Sequence, residues 1–340
     1  MRPIRVLVVD DSAFARKVLR ESLSEAGMDV VGVARDGLEA LEKIAELKPD
    51  VITLDLAMPG LDGLGVLAAL PATDRPRVVV VSASGGTSEL GISALQAGAI
   101  EVVQKPTALA LDRLYDIAPD LVRAVTLAAQ ARSPQLPAHA ARKNKAARPR
   151  ATIRSVVVIG ASTGGPQALT RLIKALPASF PLPVALVLHL PVGYTRPFAE
   201  RLDQDSDLEV REASTGLELK PGRVVVARAG MHLKLQRLGE SVIALLDSIP
   251  QDAPNRPAAD VLFRSAAEVY GAGVLGVVLT GMGDDGTEGA RAIREAGGEL
   301  ITESERTCVV YGMPRCVDEA GLSAASVDIG DMATEILRRI

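Results

Sequence analysis

Along the first 130 residues, short and almost wholly apolar runs alternate with segments whose apolar residues return every three or four positions. The runs "IRVLVVDD", "MDVVGVA", "PDVITLDL", "RVVVVSAS" and "AIEVVQKP" read as strands. Between and after them, "AFARKVLRESLSEAG" ending at Gly27, "DGLEALEKIAEL" with Asp36 near its start, "GLGVLAAL", "TSELGISALQAG" and "LYDIAPDLVRAVTLAAQ" read as helices. Five apolar strands, each followed by a helix, predict a parallel sheet covered on both faces.

From Gln130 to Thr152 the pattern stops. "QARSPQLPAHAARKNKAARPRAT" has no acid and almost no large apolar residue. Such a segment cannot bury enough surface to offset its ordering entropy, and a flexible basic tether is expected. Domains are therefore predicted over residues 1–129 and 153–340, joined by a linker over 130–152. In the second domain "SVVVIG", "PVALVLHLP", "GRVVVA", "HLKLQR", "SVIALLDS", "GVLGVVLTGMGDDG" and "GELITES" read as strands. There "ADVLFRSAAEVYG" and "TEGARAIREAGG" read as helices, with another opening at Pro166.

In parallel sheets of this kind ligands bind at the carboxyl ends of the strands. In the first domain those ends carry Asp10 and Asp11, Asp55, Ser82, and Lys105 before Pro106. Carboxylates brought so close repel unless a hard cation lies between them, and Mg²⁺ suits oxygen ligands. A metal-neutralised carboxylate can attack a phosphoryl donor, with Ser82 and Lys105 stabilising the transferred oxygens.

These stretches carry a resemblance. Residues 1–129 resemble the receiver domain of bacterial response regulators in "VVDDS", "LDLAMPGLDG", "VSAS" and "VQKP". The resemblance implies a flavodoxin-like, doubly wound parallel sheet. It makes Asp55 the phospho-acceptor, with Asp10, Asp11 and Asp55 around Mg²⁺, and implies a histidine kinase as phosphodonor. Two positions depart from the commoner pattern: Ala57 stands where many relatives have an acid, and Val102 where an aromatic switch residue is usual. Both put the route of coupling, rather than the chemistry, in question.

Composition narrows the function. The 340 residues, 48 % hydrophobic but only 2 % aromatic with no Trp, offer few stacking platforms for bases. A net charge of −4 gives no basic excess, and no helix-turn-helix stands out, so nucleic acid is not an expected partner. Cys308 and Cys316 in so long a chain are not a disulfide framework. There is no signal-peptide pattern and no apolar run long enough to span a bilayer. A cytoplasmic monomer without membrane insertion is expected.

The loop "GASTGG", Gly160–Gly165, allows two readings. A dinucleotide fold uses such glycines to approach a pyrophosphate, and wants an acid at the end of the next strand. Here that strand presents His189. The alternative takes Gly160 to Gly164 as G-x-S-x-G, with Ser162 on a tight strand-to-helix turn. Of the three histidines, His139 falls in the tether and His232 starts or precedes a strand and could line a site wall. His189, like Ser162, ends a buried strand, which favours it as general base. "TGMGDDG" offers Asp284 and Asp285 as the third member, although Asp-Gly turns are also ordinary helix caps.

Residues 154–340 look like the catalytic domain of the chemotaxis protein-glutamate methylesterases, in "GASTGGPQAL", "VLHLP", "RPAADVLFRSAA", "LTGMGDDG" and "VVYGMP". The resemblance implies a second α/β, doubly wound domain with a mainly parallel sheet. Carried over by motif, Ser162 is the nucleophile, His189 the base and Asp285 the orienting acid, with Thr163, Gly164 and Met282 lining the site. It implies a phosphorylation-activated hydrolase acting on glutamate γ-methyl esters, and on glutamines, of chemoreceptor cytoplasmic helices, with no cofactor for the esterase step. The resting receiver would cover the Ser162 site. Leu188, where a Gln is commoner, is expected to alter the pocket rim. A catalytically weak phospho-dependent adaptor and a nucleotide-dependent oxidoreductase are the rival readings. The receptor, the kinase and the pathway are not legible.

Overall fold

The computed structural model describes residues 2–71, 75–83, 88–106, 114–131, 154–251 and 253–340. The chain divides into two compact units, Met1–Ala131 and Arg132–Ile340. Most of the expected tether, His139 included, lies outside the described residues.

The first unit follows the alternation of its sequence. Its elements are β1 (Arg5–Val9), α1 (Ala13–Glu25), β2 (Asp29–Ala34), α2 (Gly37–Leu47), β3 (Val51–Leu54), α3 (Gly63–Ala69), β4 (Arg77–Ala83), α4 (Ser88–Gln96), β5 (Glu101–Lys105) and α5 (Ala118–Gln130). The strands form one parallel sheet in the order β2-β1-β3-β4-β5. Helix starts are set by polar side chains that take up orphan amides: Ser12 accepts from Ala15, Asp36 from Glu39 and Asp62 from Gly65. The last helix begins at Ala118, four residues later than its apolar pattern predicts. Pro119 lies in its first turn, where the missing N–H costs nothing, and a tighter turn over 114–117 precedes it.

The second unit comprises β6 (Val156–Ala161), α6 (Gly165–Lys174), β7 (Val184–Leu188), α7 (Thr195–Asp205), β8 (Glu209–Glu212), β9 (Arg223–Val226), β10 (His232–Leu238), β11 (Ser241–Asp247), α8 (Ala259–Tyr270), β12 (Val274–Val278), α9 (Thr287–Glu295), β13 (Glu299–Glu303), α10 (Met313–Glu319), β14 (Ser326–Val327) and α11 (Met332–Arg339). Seven strands form a sheet in the order β14-β13-β12-β6-β7-β9-β8, every pair parallel. β10 and β11 form a separate antiparallel hairpin. The fold is thus the expected pair of α/β units.

Position in the sheet explains the sequence pattern. β6, β7 and β12 are central, and each of their residues is buried. Burying each Val or Leu contributes roughly 1.5–3 kcal/mol, so these strands are forced to be continuous apolar runs. β8, at the sheet edge, reads "EVRE" with only Val210 fully buried, and so escapes the apolar signal. The apolar hairpin face, with Leu233, Leu235, Val242 and Ala244, packs with Leu262 and Ala266 of α8 into one cluster beside Val158 and Val187.

Candidate active site

At the carboxyl edge of the first sheet, β1 and β3 are neighbours, and the Asp55 amide donates to the Val9 carbonyl at 2.9 Å. Asp10 and Asp55 are thereby set side by side. Candidate ligand atoms of Asp10, Asp11 and Asp55 all lie within 4.8 Å of one another. Lys105, at the end of β5, reaches both buried acids: its Nζ is 2.5 Å from Asp55 Oδ2 and 2.7 Å from Asp10 Oδ2. Burial pushes the Asp10 carboxyl above the usual range; Lys105 opposes this and the Asp55 charge adds to it. Burial works to lower the Lys105 ammonium, but the two carboxylates outweigh it and raise it. Ser82 is fully buried in β4, one residue before Ala83, whose register partner is Lys105. Val102 is buried in β5 opposite Val80, and Ala57 is exposed.

In the second unit, Ser162, His189 and Asp285 follow β6, β7 and β12, three adjacent strands with β6 in the middle. Ser162 and His189 are anchored to neighbouring strand ends. The Ser162 amide donates to the Thr280 carbonyl at 3.0 Å, and the His189 amide to the Ala161 carbonyl at 3.2 Å. The turn after Ser162 is tight: the Gly165 amide donates to the Ser162 carbonyl at 2.7 Å, and Gly164 takes φ of +78°. That left-handed conformation favours glycine and aims α6 away from the strand. Gly281 makes a second close approach. A Cβ there would meet Ser162 Cβ at 2.8 Å, so any larger residue would push the "TGMGDD" loop off the serine.

It is Asp285, not Asp284, that reaches the histidine. His189 Nε2–H donates to Asp285 Oδ2 at 2.7 Å, while Asp284 is exposed. Both groups are largely shielded, with side-chain exposures of 14 % and 6 %. The Asp285 carboxylate also accepts the Ala259 amide at 2.8 Å and the Asp260 amide at 3.0 Å, from the first turn of α8. Burial alone would raise its pKa, but His189 and these two amides outweigh it and hold the carboxyl below the usual range. With Nε2 committed to Asp285, Nδ1 is the nitrogen left for the serine.

The remaining predicted residues are placed as follows. Thr163 is buried; its carbonyl accepts the Thr280 hydroxyl at 2.9 Å. Met282 is 48 % exposed and immediately follows the glycine that abuts Ser162. Among the described residues, its amide donates to no protein group. Leu188, expected to alter the pocket rim, is itself fully buried. It ends a central strand, where side chains turn into the core. His232 is fully buried beneath the start of α8: its Nε2–H donates to the Pro250 carbonyl at 2.9 Å, and its Nδ1 accepts the Ala258 amide at 3.2 Å.

Three residues of this network were not singled out from sequence. Asp260, Thr280 and Glu303 sit behind the loops rather than at their tips. Glu303 Oε2 accepts the Thr280 amide at 2.9 Å and its Oε1 the Thr307 hydroxyl at 2.9 Å; burial pushes its carboxyl up to about 7. The available signal was an acid closing the strand "ELITE", at the end where the other strands carry their candidate residues.

A family described as CheB methylesterase matches residues 157–336, and one described as response regulator receiver domain matches residues 6–117. The chain is 60 % identical to the protein-glutamate methylesterase/protein-glutamine glutaminase 5 of Myxococcus xanthus, over 99 % of this chain and 98 % of that one. The chain belongs to the CheB methylesterase family. A Thermotoga maritima protein-glutamate methylesterase/protein-glutamine glutaminase is 42 % identical over 94 % of each chain. The solved CheB methylesterase catalytic domain of Thermotoga maritima matches with a TM-score of 0.54 and 40 % identity, covering 56 % of this chain and all of that domain. As a CheB methylesterase with a receiver domain, the chain is a hydrolase of a chemotaxis response-regulator family.

Proposed function

We propose that the second unit hydrolyses glutamate γ-methyl esters of chemoreceptors through Ser162, His189 and Asp285. The observation that carries this reading is the His189–Asp285 hydrogen bond at the strand ends flanking Ser162. Ser162 Oγ attacks the ester carbonyl carbon while His189 Nδ1 takes its proton. Asp285 holds the ring and offsets the charge of the imidazolium. The carbonyl oxygen becomes an oxyanion, which the Met282 amide, with no other described acceptor, receives. Collapse of the tetrahedral adduct breaks the C–OCH₃ bond, and His189 returns the proton to release methanol. Water then attacks the acyl-serine with His189 again as base, freeing the glutamate carboxylate. A glutamine side chain follows the same course with ammonia as leaving group. None of these steps calls for a cofactor.

The receiver site fits a cation by its donor chemistry: three clustered carboxylates, two of them buried. Asp10, Asp11 and Asp55 would hold Mg²⁺, which when bound neutralises their mutual repulsion and the charge of an incoming phosphoryl group. Asp55 accepts that group from a sensor histidine kinase, and Lys105 and Ser82 meet its oxygens. We take residues 1–129 as the receiver, 130–152 as the tether and 153–340 as the catalytic domain of a cytoplasmic monomer. No helix among the described residues is long and apolar enough to cross a membrane. Release of labelled methanol from a methylated receptor is the direct test. A chain that binds receptors without releasing methanol would instead be the phospho-dependent adaptor.

A further inference from the structure

The carboxylate beside His189 is held by a helix end, and that helix end is held in return. α8 donates its Ala259 and Asp260 amides to Asp285. Immediately after Asp285 the chain turns into α9, and there the direction reverses. Asp260 Oδ1 accepts the Gly286 amide at 3.0 Å and the Gly289 amide at 2.6 Å. Two carboxylates thus clamp two helix N-termini to each other. The approach is close enough to exclude a side chain: a Cβ on Gly289 would lie 2.5 Å from Phe263 Cβ and 2.9 Å from Asp260 Cα. Behind, His232 Nδ1 accepts the Ala258 amide, so three successive amides at the start of α8 have side-chain partners.

The clamp matters because the loop that carries Asp285 does not hold it alone. Gly283 and Gly286 flank the acid pair with φ of +84° and +98°, in conformations that leave the backbone many alternatives once released. We propose that Asp260 is a positioning residue for the hydrolysis: by tying Gly286 and Gly289 to α8, it sets the direction in which Asp285 presents Oδ2 to His189. This rests on the reading of Ser162, His189 and Asp285 as the reacting set. The Asp260 carboxylate accepts the Gly286 and Gly289 amides, and so acts through Asp285. What it must supply is an acceptor oxygen in one place, which an amide oxygen can also supply.

The test uses the full chain, activated with a small phosphodonor and Mg²⁺, and reads methanol release from a receptor carrying labelled methyl esters. Asp260→Ala should lower kcat about 10- to 100-fold, the scale of an ångström-size misplacement, with KM within about twofold. Asp260→Asn should recover kcat to within about fivefold, since its side-chain oxygen still accepts both amides. If the alanine variant does not fold, Asp260→Glu, which keeps the charge but displaces the acceptor, should show the same loss of kcat. A wild-type kcat in the folded alanine or glutamate variant overturns the inference, as does an asparagine variant as impaired as alanine. Ser162→Ala runs alongside. If it turns over normally, the hydrolytic reading falls and takes the inference with it. If it is dead while the Asp260 variants are unaffected, only the inference falls.

Discussion

Both units gather carboxylates at the C-terminal edge of a parallel sheet, and they hold them in opposite ways. In the receiver, Asp10 is buried against Asp55 with Lys105 between them, and its carboxyl is pushed above the usual range. In the catalytic unit Asp285 is buried to a similar degree, yet its carboxyl is held below that range. The difference lies in the partners. Asp285 faces two helix amides and an imidazole, all donors. Asp10 accepts one amide, that of Ser12, but it also faces another acid, and one ammonium is shared between the two. A carboxylate kept charged by three donors can orient a base; one buried beside a second acid suits a cation. One architecture therefore serves two chemistries.

The hardest test of this contrast is removal of the nucleophile. Ser162→Ala should leave the fold intact and cut receptor demethylation by about 10⁴-fold or more. Near-wild-type methanol release would remove the catalytic half of the comparison. Next comes the acid. Asp285→Asn should lower kcat by roughly 10³- to 10⁴-fold, because the neutral amide neither selects the ring tautomer nor offsets the imidazolium. Asp284→Asn, altering an exposed side chain, should stay within about threefold of wild type. A reversed ranking in side-by-side kinetics would refute the assignment.

The receiver half is sharpened by Asp55→Asn, which should keep basal turnover and lose its stimulation by a small phosphodonor with Mg²⁺. Deleting Met1 to Arg150 belongs in the same experiment. Raised basal turnover would mark the receiver as inhibitory, and unchanged turnover would point to control by recruitment.

The smallest effect concerns Glu303. A carboxyl raised to about 7 in the folded state binds its proton more tightly there than when unfolded. Its contribution to stability is therefore full below the ordinary carboxylate range and is lost as pH climbs toward and through about 7. Glu303→Gln, which cannot ionise, should flatten the fall in Tm over that window in thermal melts. A variant whose melting profile matched wild type across the window would show that the carboxyl titrates normally.

Much of this was readable before the fold was known, and the reason is periodicity. Central strands such as β6 and β12 must be apolar throughout, so they announce themselves, and the residues that end them announce the site. Ser162, His189, Asp10 and Asp55 stand at such ends, whereas Lys105 ends the edge strand β5. Edge elements hid for the converse reason: β8 and the two-residue β14 bury too little to leave a pattern. α7 was missed because Pro197 and a largely charged face mask its short apolar stripe of Phe198, Ala199 and Leu202. The choice between Asp284 and Asp285 rested on family resemblance, since two neighbours in one loop have the same local signature. What separates them is a helix 25 residues upstream, α8, whose amides reach only one of the two. Asp260 was invisible for the same reason: its partners are backbone groups, and backbone leaves no trace in a sequence.

The order of strands in the second sheet also has a consequence for how the protein is made. Ser162 and His189 come from β6 and β7, which can pair as soon as both have left the ribosome. The acid arrives on β12, some ninety residues later, and docks on the opposite side of β6. A nascent chain that stops short of β12 carries a serine and a histidine but no carboxylate to orient them. On the proposed mechanism, hydrolytic power is therefore the last property the growing polypeptide acquires, and it appears only after the whole phosphorylation module has been translated.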